Sequence, residues 1–501
     1  MFSLINFTPR EYQLNVLETC KNNNTLVVLP TGTGKTAIAL LLGLERLNKF
    51  PDSNILLISP TKPLCQQHIN TFKQFTDIKE ILLLTGIISA NKRADLWKEA
   101  KVIIATPQTI QSDLEHSRIS LENVSMLCID EAHRSRQNFA NTKVAKNYFE
   151  NAINARILAL TASPGGTLDK IKEIMKNLIL DAVEIRTESD EDVKKYVQKR
   201  DFEWIEVNLP EEIKDLHSKI KNVYLNKAKE LIRIGFNKPV NLIGKKDLLK
   251  MQQSLRINLN KGDKSAFYGI SLTAQLLKLD YLLELIEIQG VKVLSNFFEK
   301  LKNDESKAAK NILNNKEIQE AISICNRLIK EEKEHPKFNK LKEIILEEIR
   351  LNPKIKIMIF ANYRDTVESI LNLLKSNDVK VVKLIGQKAG LTQKQQINIV
   401  KEFEENEDNV LIGTSILEEG IDIKGANEVI FYEAVPSEIR KIQRTGRVAR
   451  LQAGKIIFLI TKNTRDEAYF WSGYQKEKKM KKVLYHLKDK NIEEFLKEEN
   501  A

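Results

Sequence analysis

Short apolar runs alternate with amphipathic segments at both ends of this 501-residue chain. Each run has the length of one buried strand, and a polar or glycine-bearing turn leads from it into helical periodicity. Strands that are apolar on both faces belong to parallel sheets with helices packed on either side. The pattern therefore predicts two α/β lobes. The predicted strands are 26–29, 55–59, 81–84, 102–105, 126–129 and 157–160 in the first lobe and 355–360, 381–385, 410–413, 428–432 and 455–460 in the second.

The middle of the chain differs, because strand-like runs are scarce and helical periodicity dominates from about residue 210 to 347. Residues 211–234 and 272–288 are the longest periodic stretches. We therefore expect an all-helical insert between the two lobes.

Positive charge is concentrated in this insert. The chain has a formal net charge of +12, and residues 221–278 alone hold twelve Lys/Arg against three Asp/Glu. Such a one-sided surplus favours contact with a nucleic acid, and a solvated helix face is the alternative. The candidate contacts are Lys245, Lys246, Lys250 and Arg256.

Composition excludes several other classes of protein. Hydrophobic residues make up 42% and charged residues 29%, which is typical of an ordered globular chain. No run reaches the roughly 18 apolar residues that a membrane span needs, and the N-terminus does not resemble a signal peptide, so we expect a cytoplasmic location. The four cysteines are widely separated, which argues against a zinc site or a disulfide framework.

A glycine-rich loop, Thr31-Gly-Thr-Gly-Lys-Thr36, lies between the first predicted strand and a helix. Glycines allow the backbone to curl so that successive N–H groups point at one anion, and the helix N-terminus adds its positive dipole end. This pattern predicts an ATP site with Mg²⁺. Lys35 would reach the β- and γ-phosphates and Thr36 would be a metal ligand, while Thr31, Gly32, Thr33 and Gly34 form the rest of the loop.

Two further motifs supply chemistry to this site. Asp130 and Glu131 follow an apolar run, so Asp130 can hold Mg²⁺ and Glu131 can act as general base; surface acids at a strand end are the alternative. Arg447 and Arg450 are three residues apart and share a helical face, where they suit the charge on a transferring phosphoryl group; ordinary surface arginines are the alternative. Because these arginines belong to the second lobe, ATP binding would close the lobes together.

These motifs, in this order, resemble the superfamily 2 DEAH-box helicases. A narrower similarity to archaeal Hef and the Fanconi anaemia group M helicases rests on SPTKPLCQQH, ATPQTIQSDL, DEAHR, LTASPGGT, FANYRDT, EAVPSEIRKIQRTGR and TRDEAYFWS. The resemblance implies two RecA-like parallel-sheet lobes with an all-helical insert. The expected domains are an ATP-binding lobe at 1–205, the insert at 206–347, a C-terminal lobe at 348–475 and a Lys-rich helical tail at 476–501.

The resemblance also implies roles for single residues. Arg10 and Gln13 would contact the adenine and Asp422 the ribose, and Gln443 would join the two arginines in catalysis. Thr161, Ser163 and His133 would couple the ATP site to the nucleic-acid site. The residues implied to contact the sugar-phosphate backbone are Lys62, Thr85, Gly86, Thr106, Arg364, Gln387 and Thr414.

The expected function is therefore an ATP-dependent DNA helicase or translocase, of 3′ to 5′ polarity, that remodels forked or four-way DNA in replication-fork repair. Replication clamps or nucleases are the implied protein partners, and the nucleoid is the implied place of action. No Glu-Arg-Lys-x-x-x-Asp nuclease pattern is present, so no nuclease activity is expected. An RNA helicase or double-stranded RNA-binding ATPase is one alternative. An ATP-gated clamp with little turnover is another, against which Glu131, Arg447 and Arg450 argue.

Overall fold

The structure, a computed structural model, describes residues 1–197, 200–264, 266–386, 392–405, 409–414, 417, 426–435, 437–445 and 454–489, with the backbone alone at 393–394, 438–439, 441, 443 and 488–489. Two parallel sheets with helices on both faces are joined by a helical insert. This arrangement confirms the predicted fold class.

The first lobe is built on a seven-stranded sheet of order β3-β4-β2-β5-β6-β1-β7, in which all paired strands are parallel. Its strands are β1 (Thr25–Val28), β2 (Asn54–Ile58), β3 (Ile81–Leu84), β4 (Val102–Ala105), β5 (Val124–Ile129), β6 (Ile157–Thr161) and β7 (Ala182–Ile185). Its helices are α1 (Glu11–Asn22), α2 (Lys35–Lys49), α3 (Lys62–Phe75), α4 (Ala90–Glu99), α5 (Pro107–Glu115), α6 (Ala140–Asn151), α7 (Leu168–Leu178) and α8 (Glu191–Lys194). Alternate strand residues enter opposite apolar layers, with Leu26 and Val28 in one and Val27 and Leu29 in the other. Continuous apolar runs are therefore required to bury both faces.

The insert is a helical bundle with an apolar core of its own. Its helices are α9 (Glu211–Arg233), α10 (Lys245–Asn260), α11 (Ala266–Glu284), α12 (Val291–Lys302), α13 (Lys307–Leu313) and α14 (Lys316–Lys330). A π-helical turn, Leu285–Gln289, continues α11 and is buried throughout.

The second lobe is built on a six-stranded parallel sheet of order β10-β11-β9-β12-β13-β8. Its strands are β8 (Arg200–Val207), β9 (Ile357–Phe360), β10 (Val381–Leu384), β11 (Val410–Gly413), β12 (Glu428–Phe431) and β13 (Gly454–Thr461). Its helices are α15 (Pro336–Leu351), α16 (Arg364–Lys375), α17 (Gln393–Glu405), α18 (Glu438–Thr445) and α19 (Arg465–Asp489).

The structure differs from all three predicted domain boundaries. The prediction placed residues up to 205 in the first lobe, but β8 pairs with β13 along its full length and so belongs to the second sheet. Residues up to 347 were expected in the insert, but α15 packs its buried face into the second lobe's core. The first lobe therefore ends before β8, and the insert lies between β8 and α15. In both places the partner that fixes the element is distant in sequence.

The Lys-rich tail predicted from residue 476 is the second half of one helix, α19. Its first half packs on β13 and on the π-helical turn, whereas Met480, Leu484 and Leu487 lie in the apolar layer of the first lobe. The described part of the tail is therefore helical, as predicted, but it packs against the first lobe and is not a separate segment. Helix α19 physically joins the two lobes.

None of the helices in the described part of the chain combines the length and the apolar character that crossing a bilayer requires.

Candidate ATP site and nucleic-acid interface

The predicted ATP-site residues of the first lobe lie along one edge of its sheet. Parallel strands end on the same side, so the segments that follow β1, β5 and β6 become neighbours although they are distant in sequence. These segments carry the glycine-rich loop, the Asp130-Glu131 pair, and Thr161 and Ser163. The sheet thereby assembles one site from three separate motifs.

The loop after β1 curls as the motif predicts. Gly32 and Gly34 have φ values of 81° and 80°, a left-handed conformation that disfavours a side chain, and α2 begins directly after Gly34. Lys35 Nζ lies 3.4 Å from the carbonyl oxygens of Leu29 and Pro30. The loop therefore places a lysine and a helix N-terminus at one point, the arrangement that binds polyphosphate.

Arg10 and Gln13 lie beside this loop. Gln13 is 2% exposed, and its Nε2 donates to the Thr33 carbonyl at 3.3 Å while its Oε1 accepts from the Arg10 backbone N–H at 2.9 Å. The Arg10 guanidinium packs 4.6 Å from the centre of the Tyr196 ring. Gln13 thus stabilises the phosphate loop through a hydrogen bond. The predicted contact of Arg10 and Gln13 with adenine stays a prediction.

Asp130 is a buried carboxylate with three protein donors. Its Oδ2 contacts His68 Nε2 at 2.9 Å and accepts from Ser59 Oγ at 3.1 Å, and its Oδ1 accepts from the Glu131 backbone N–H at 2.9 Å. Burial alone would raise the pKa of Asp130, but the hydrogen bond and charge of His68, with Lys35, hold that pKa below its usual value. Asp130 therefore stays ionised, as a ligand to a cation must.

A chain of contacts runs from Glu131 to the second lobe. Glu131 adopts φ 52°, and its Oε2 lies 3.2 Å from His133 Nδ1. His133 Nδ1 lies 3.3 Å from Thr161 Oγ1, which accepts from the Ser163 backbone N–H at 3.1 Å. Ser163 Oγ donates to Met480 Sδ of α19 at 3.1 Å. Thr161 thus contacts both His133 and Ser163, and the coupling role of the three residues stays a prediction.

Helix α18 of the second lobe faces the phosphate loop. Ile442 packs against the apolar layer of the first lobe, and a cavity of about 330 Å³ is lined by Thr31 and Ala162 on one side and by Ile442 and Thr445 on the other. The C-terminal end of α18 therefore lies beside the predicted phosphate site. Asp422, Arg447, Arg450 and the side chain of Gln443 lie outside the described residues.

The residues predicted to contact nucleic acid in the first lobe occupy the other half of the same edge. Lys62 begins α3 after β2, Thr85 and Gly86 follow β3, and Thr106 precedes α5 after β4. In the sheet, these three strands are adjacent and lie to one side of β5. Two helix N-termini, those of α3 and α5, point at this half of the edge and suit phosphate groups.

The second lobe repeats this division. Arg364 begins α16 after β9, and Thr414 follows β11, so both lie in the β10-β11-β9 half of the sheet. Helix α18 follows β12 in the other half. Gln387 lies outside the described residues. Each lobe therefore separates a predicted nucleic-acid half from a predicted ATP half.

The four cations predicted in the insert lie on one exposed face of α10. They are Lys245, Lys246, Lys250 and Arg256. Leu249 and Ile257 are on the same face and are 48% and 50% exposed, whereas Leu248 on the opposite face is buried. The face therefore combines cations with apolar side chains, a combination suited to phosphates and bases.

Three family models match successive parts of the chain. Residues 10–171 match the DEAD/DEAH box helicases, residues 211–335 match the helical bundle of ATP-dependent RNA helicases, and residues 336–452 match the helicase conserved C-terminal domain.

Solved and curated relatives cover nearly the whole chain. The crystal structure of the Hef helicase domain of Pyrococcus furiosus is 40% identical, with a TM-score of 0.73 over 93% of this chain and 98% of that one. The chain belongs to the superfamily 2 helicases of the Hef family. A provisionally named ATP-dependent RNA helicase of Methanocaldococcus jannaschii is 40% identical over 95% of this chain and 61% of its own length. The ATP-dependent DNA helicase fml1 of Schizosaccharomyces pombe is 33% identical over 92% and 58%.

The chain thus spans about three fifths of the length of these two curated relatives. The match to the Hef helicase domain confirms an ATP-hydrolysing superfamily 2 helicase.

Sequence reasoning missed several side chains of this helicase site. His68 and Ser59 bind Asp130, and Tyr12 donates to the Thr33 carbonyl of the phosphate loop. His68 stands six residues after Lys62 in the stretch SPTKPLCQQH, on which the family resemblance partly rests, and this is a signal that could have drawn attention to it. No short motif points to Met480, because its contact with Ser163 depends on the path of α19.

Proposed function

We propose that this Hef-family helicase uses ATP and Mg²⁺ to unwind or remodel forked and four-way DNA, with 3′ to 5′ polarity. The observation that carries the proposal is the exposed cationic face of α10, mounted on an insert beside the two motor lobes. The two lobes need to contact only the backbone of one strand in order to move along it. The additional cationic surface of the insert is therefore suited to a second duplex arm of a branched DNA.

The ATP site divides its work between the lobes. Lys35 and the loop N–H groups would bind the phosphates, and Glu131 would take a proton from the attacking water. Arg447 and Arg450 would arrive from the second lobe, because α18 already faces the phosphate loop across a shared cavity. Closing and opening of the lobes would then follow binding and hydrolysis.

The donor groups present fit Mg²⁺. Thr36 lies in the first turn of α2 beside the loop, and Asp130 keeps an ionised carboxylate whose Oδ1 accepts only one protein hydrogen bond among the described contacts. Oxygen donors of this kind, from Thr36 and Asp130, would hold the ion. When bound, Mg²⁺ neutralises charge on the phosphates.

RNA is the second candidate substrate. It is favoured by the name of the relative from M. jannaschii and by the description of the family that matches the insert. The S. pombe relative is named a DNA helicase. Contacts to the backbone do not by themselves distinguish the two polymers, because both carry the same phosphates.

The deciding experiment measures ATP turnover by the full chain with single-stranded DNA, forked DNA, a four-way junction and duplex RNA at equal phosphate concentration. We expect forked and four-way DNA to stimulate turnover most, and unwinding of forks with a 3′ loading strand. Strong stimulation by structured RNA with none by forked DNA would overturn the choice of substrate.

The same assay tests the clamp alternative. Glu131→Gln removes the proposed general base and keeps the side-chain size, so turnover should fall about 100-fold or more while ATP binding survives. A Glu131→Gln protein with wild-type turnover would show that Glu131 is not the base.

A further inference from the structure

A buried arginine lies near the end of α18, three residues before Arg447. Arg444 is 0% exposed, and its guanidinium lies 5.0 Å from the centre of the Phe360 ring and 5.9 Å from that of Phe431. These rings end β9 and β12, so the arginine fastens α18 to the middle of the second sheet. A guanidinium removed from water also needs a hydrogen-bond acceptor and a counter-charge.

Asn362 and Glu433 supply both. Arg444 Nη2 donates to Asn362 Oδ1 at 2.7 Å. Asn362 Nδ2 in turn donates to Glu433 Oε2 at 2.6 Å, and the Asn362 backbone N–H donates to Glu433 Oε1 at 2.9 Å. Burial raises the pKa of Glu433, and the hydrogen bonds that both of its carboxyl oxygens accept offset part of that rise. The amide thus lies between a cation and a carboxyl group, where each hydrogen bond polarises the next.

The three residues of this hydrogen-bond network come from three different elements. Asn362 follows β9, Glu433 follows β12 and Arg444 lies on α18. The chain of hydrogen bonds therefore fixes the end of α18 relative to the edge of the second sheet. Residues 446–450 follow at once, so a displacement of Arg444 would displace them too. A shift of about 1 Å at a reacting group can lower a rate about 100-fold.

We propose that Arg444, held by Asn362 and Glu433, is a positioning residue for ATP hydrolysis. It holds the C-terminal end of α18, and Arg447 is only three residues further along the sequence. Its complete burial keeps it from touching nucleotide or nucleic acid. The inference rests on the proposed catalytic role of Arg447.

The test compares two buried arginines. Arg46, which is 4% exposed, donates to the carbonyl oxygens of Ser125 at 2.9 Å and Asn154 at 2.6 Å, at the edge of the first sheet opposite the ATP site. Arg444→Lys and Arg46→Lys each keep a positive charge and lose the planar fork. Both should lower the melting temperature, but only Arg444→Lys should also lower kcat, by about tenfold or more, with KM for ATP nearly unchanged.

Glu433→Gln keeps the test valid if Arg444→Lys does not fold. It preserves the size of the side chain and removes its charge, and should lower kcat less than Arg444→Lys does. The double variant should be no slower than Arg444→Lys alone, because both changes act through the same chain of bonds. Equal kcat losses at Arg444 and Arg46, a rise in KM with kcat unchanged, or additive losses in the double variant would each overturn the inference.

Arg447→Ala, measured in parallel, separates this inference from the proposed function. If Arg447→Ala turns over ATP normally, the proposed catalytic arginine is wrong. If Arg447→Ala is inactive while Arg444→Lys is fully active and folded, only the positioning role of Arg444 fails.

Discussion

His335 is a buried titratable residue at the junction between the insert and the second lobe. It caps α15, where its Nδ1 accepts from the Lys337 backbone N–H at 3.2 Å, and its Nε2 lies 3.2 Å from the Glu287 carbonyl oxygen. The ring is therefore neutral, with its proton on Nε2. Burial, and then the charge of Lys337, lower the pKa of His335 to about 3.

This lowered pKa predicts loss of stability in mild acid. Below pH 6.5, the ordinary pKa of histidine, His335 is protonated in the unfolded chain but stays neutral in the folded chain. Acidification therefore favours unfolding down to about pH 3. The shifted pKa of His335 alone should lower the free energy of unfolding by about 2 kcal/mol between pH 6.5 and pH 5. Denaturant titrations at these pH values measure the loss.

The matched pair of variants is His335→Asn and His486→Asn. Asparagine caps a helix but does not titrate, so His335→Asn should flatten the acid dependence. His486 is exposed on α19, and its replacement should leave the slope as in the wild type. The same slope in all three proteins would contradict the assignment.

At the scale of elements, α10 predicts how the insert recognises its substrate. Replacing its four cations, Lys245, Lys246, Lys250 and Arg256, by glutamine should weaken binding of forked DNA more than of single-stranded DNA. The slope of log affinity against log salt should fall by about 3 to 4, because each cation releases about one counterion. Fluorescence anisotropy at several salt concentrations measures both effects.

Four exposed lysines elsewhere in the insert provide the control with the same change of charge. They are Lys307, Lys310, Lys316 and Lys330 on α13 and α14. Their replacement by glutamine should change fork binding much less. Equal effects of the two sets would mean that overall charge, rather than the face of α10, determines binding.

The elements also show what could be predicted from sequence. Eleven strands were predicted because they read as continuous apolar runs, and most of them are buried on both faces. Strands β7 and β8 were missed, and both lie at the edge of a sheet. In β8, Phe202 and Trp204 are about half exposed, and the partner strand β13 is roughly 250 residues away. An edge strand buries little, so its sequence carries little signal.

The predicted site shows the same limit. Lys35, Asp130 and Glu131 could be found because their chemistry depends on adjacent residues in short motifs. His68, Arg444 and Met480 act through contacts between distant segments, so only the fold reveals them. The spacing of Met480, Leu484 and Leu487 is nevertheless that of one helical face, and is the signal that could have shown the tail to be packed.

At the scale of the whole molecule, the insert is fixed to the second lobe. Tyr363 Oη donates to Glu284 Oε1 at 2.7 Å, and the Arg465 guanidinium pairs with Asp280 Oδ1 at 2.9 Å. The Arg465 backbone N–H also donates to Glu287 Oε2 at 3.0 Å. DNA held by the insert would therefore move with the second lobe when the lobes close. Closure of the lobes would then pull on a branch point.

Helix α19 connects the second lobe and its insert to the first lobe. Leu484 is 5% exposed in the first lobe's apolar layer, and the neighbouring Tyr485 Oη lies 2.5 Å from Ser189 Oγ. Leu484→Asp would bury a carboxylate there without a partner, a change that costs several kcal/mol, so the end of α19 should detach. We expect the calorimetric transitions of the two lobes to separate and kcat for DNA-stimulated ATP hydrolysis to fall.

The control variant Lys482→Asp introduces the same carboxylate at an exposed position of α19 and should have neither effect. If Leu484→Asp unfolds as the wild type does and keeps its kcat, α19 does not couple the lobes.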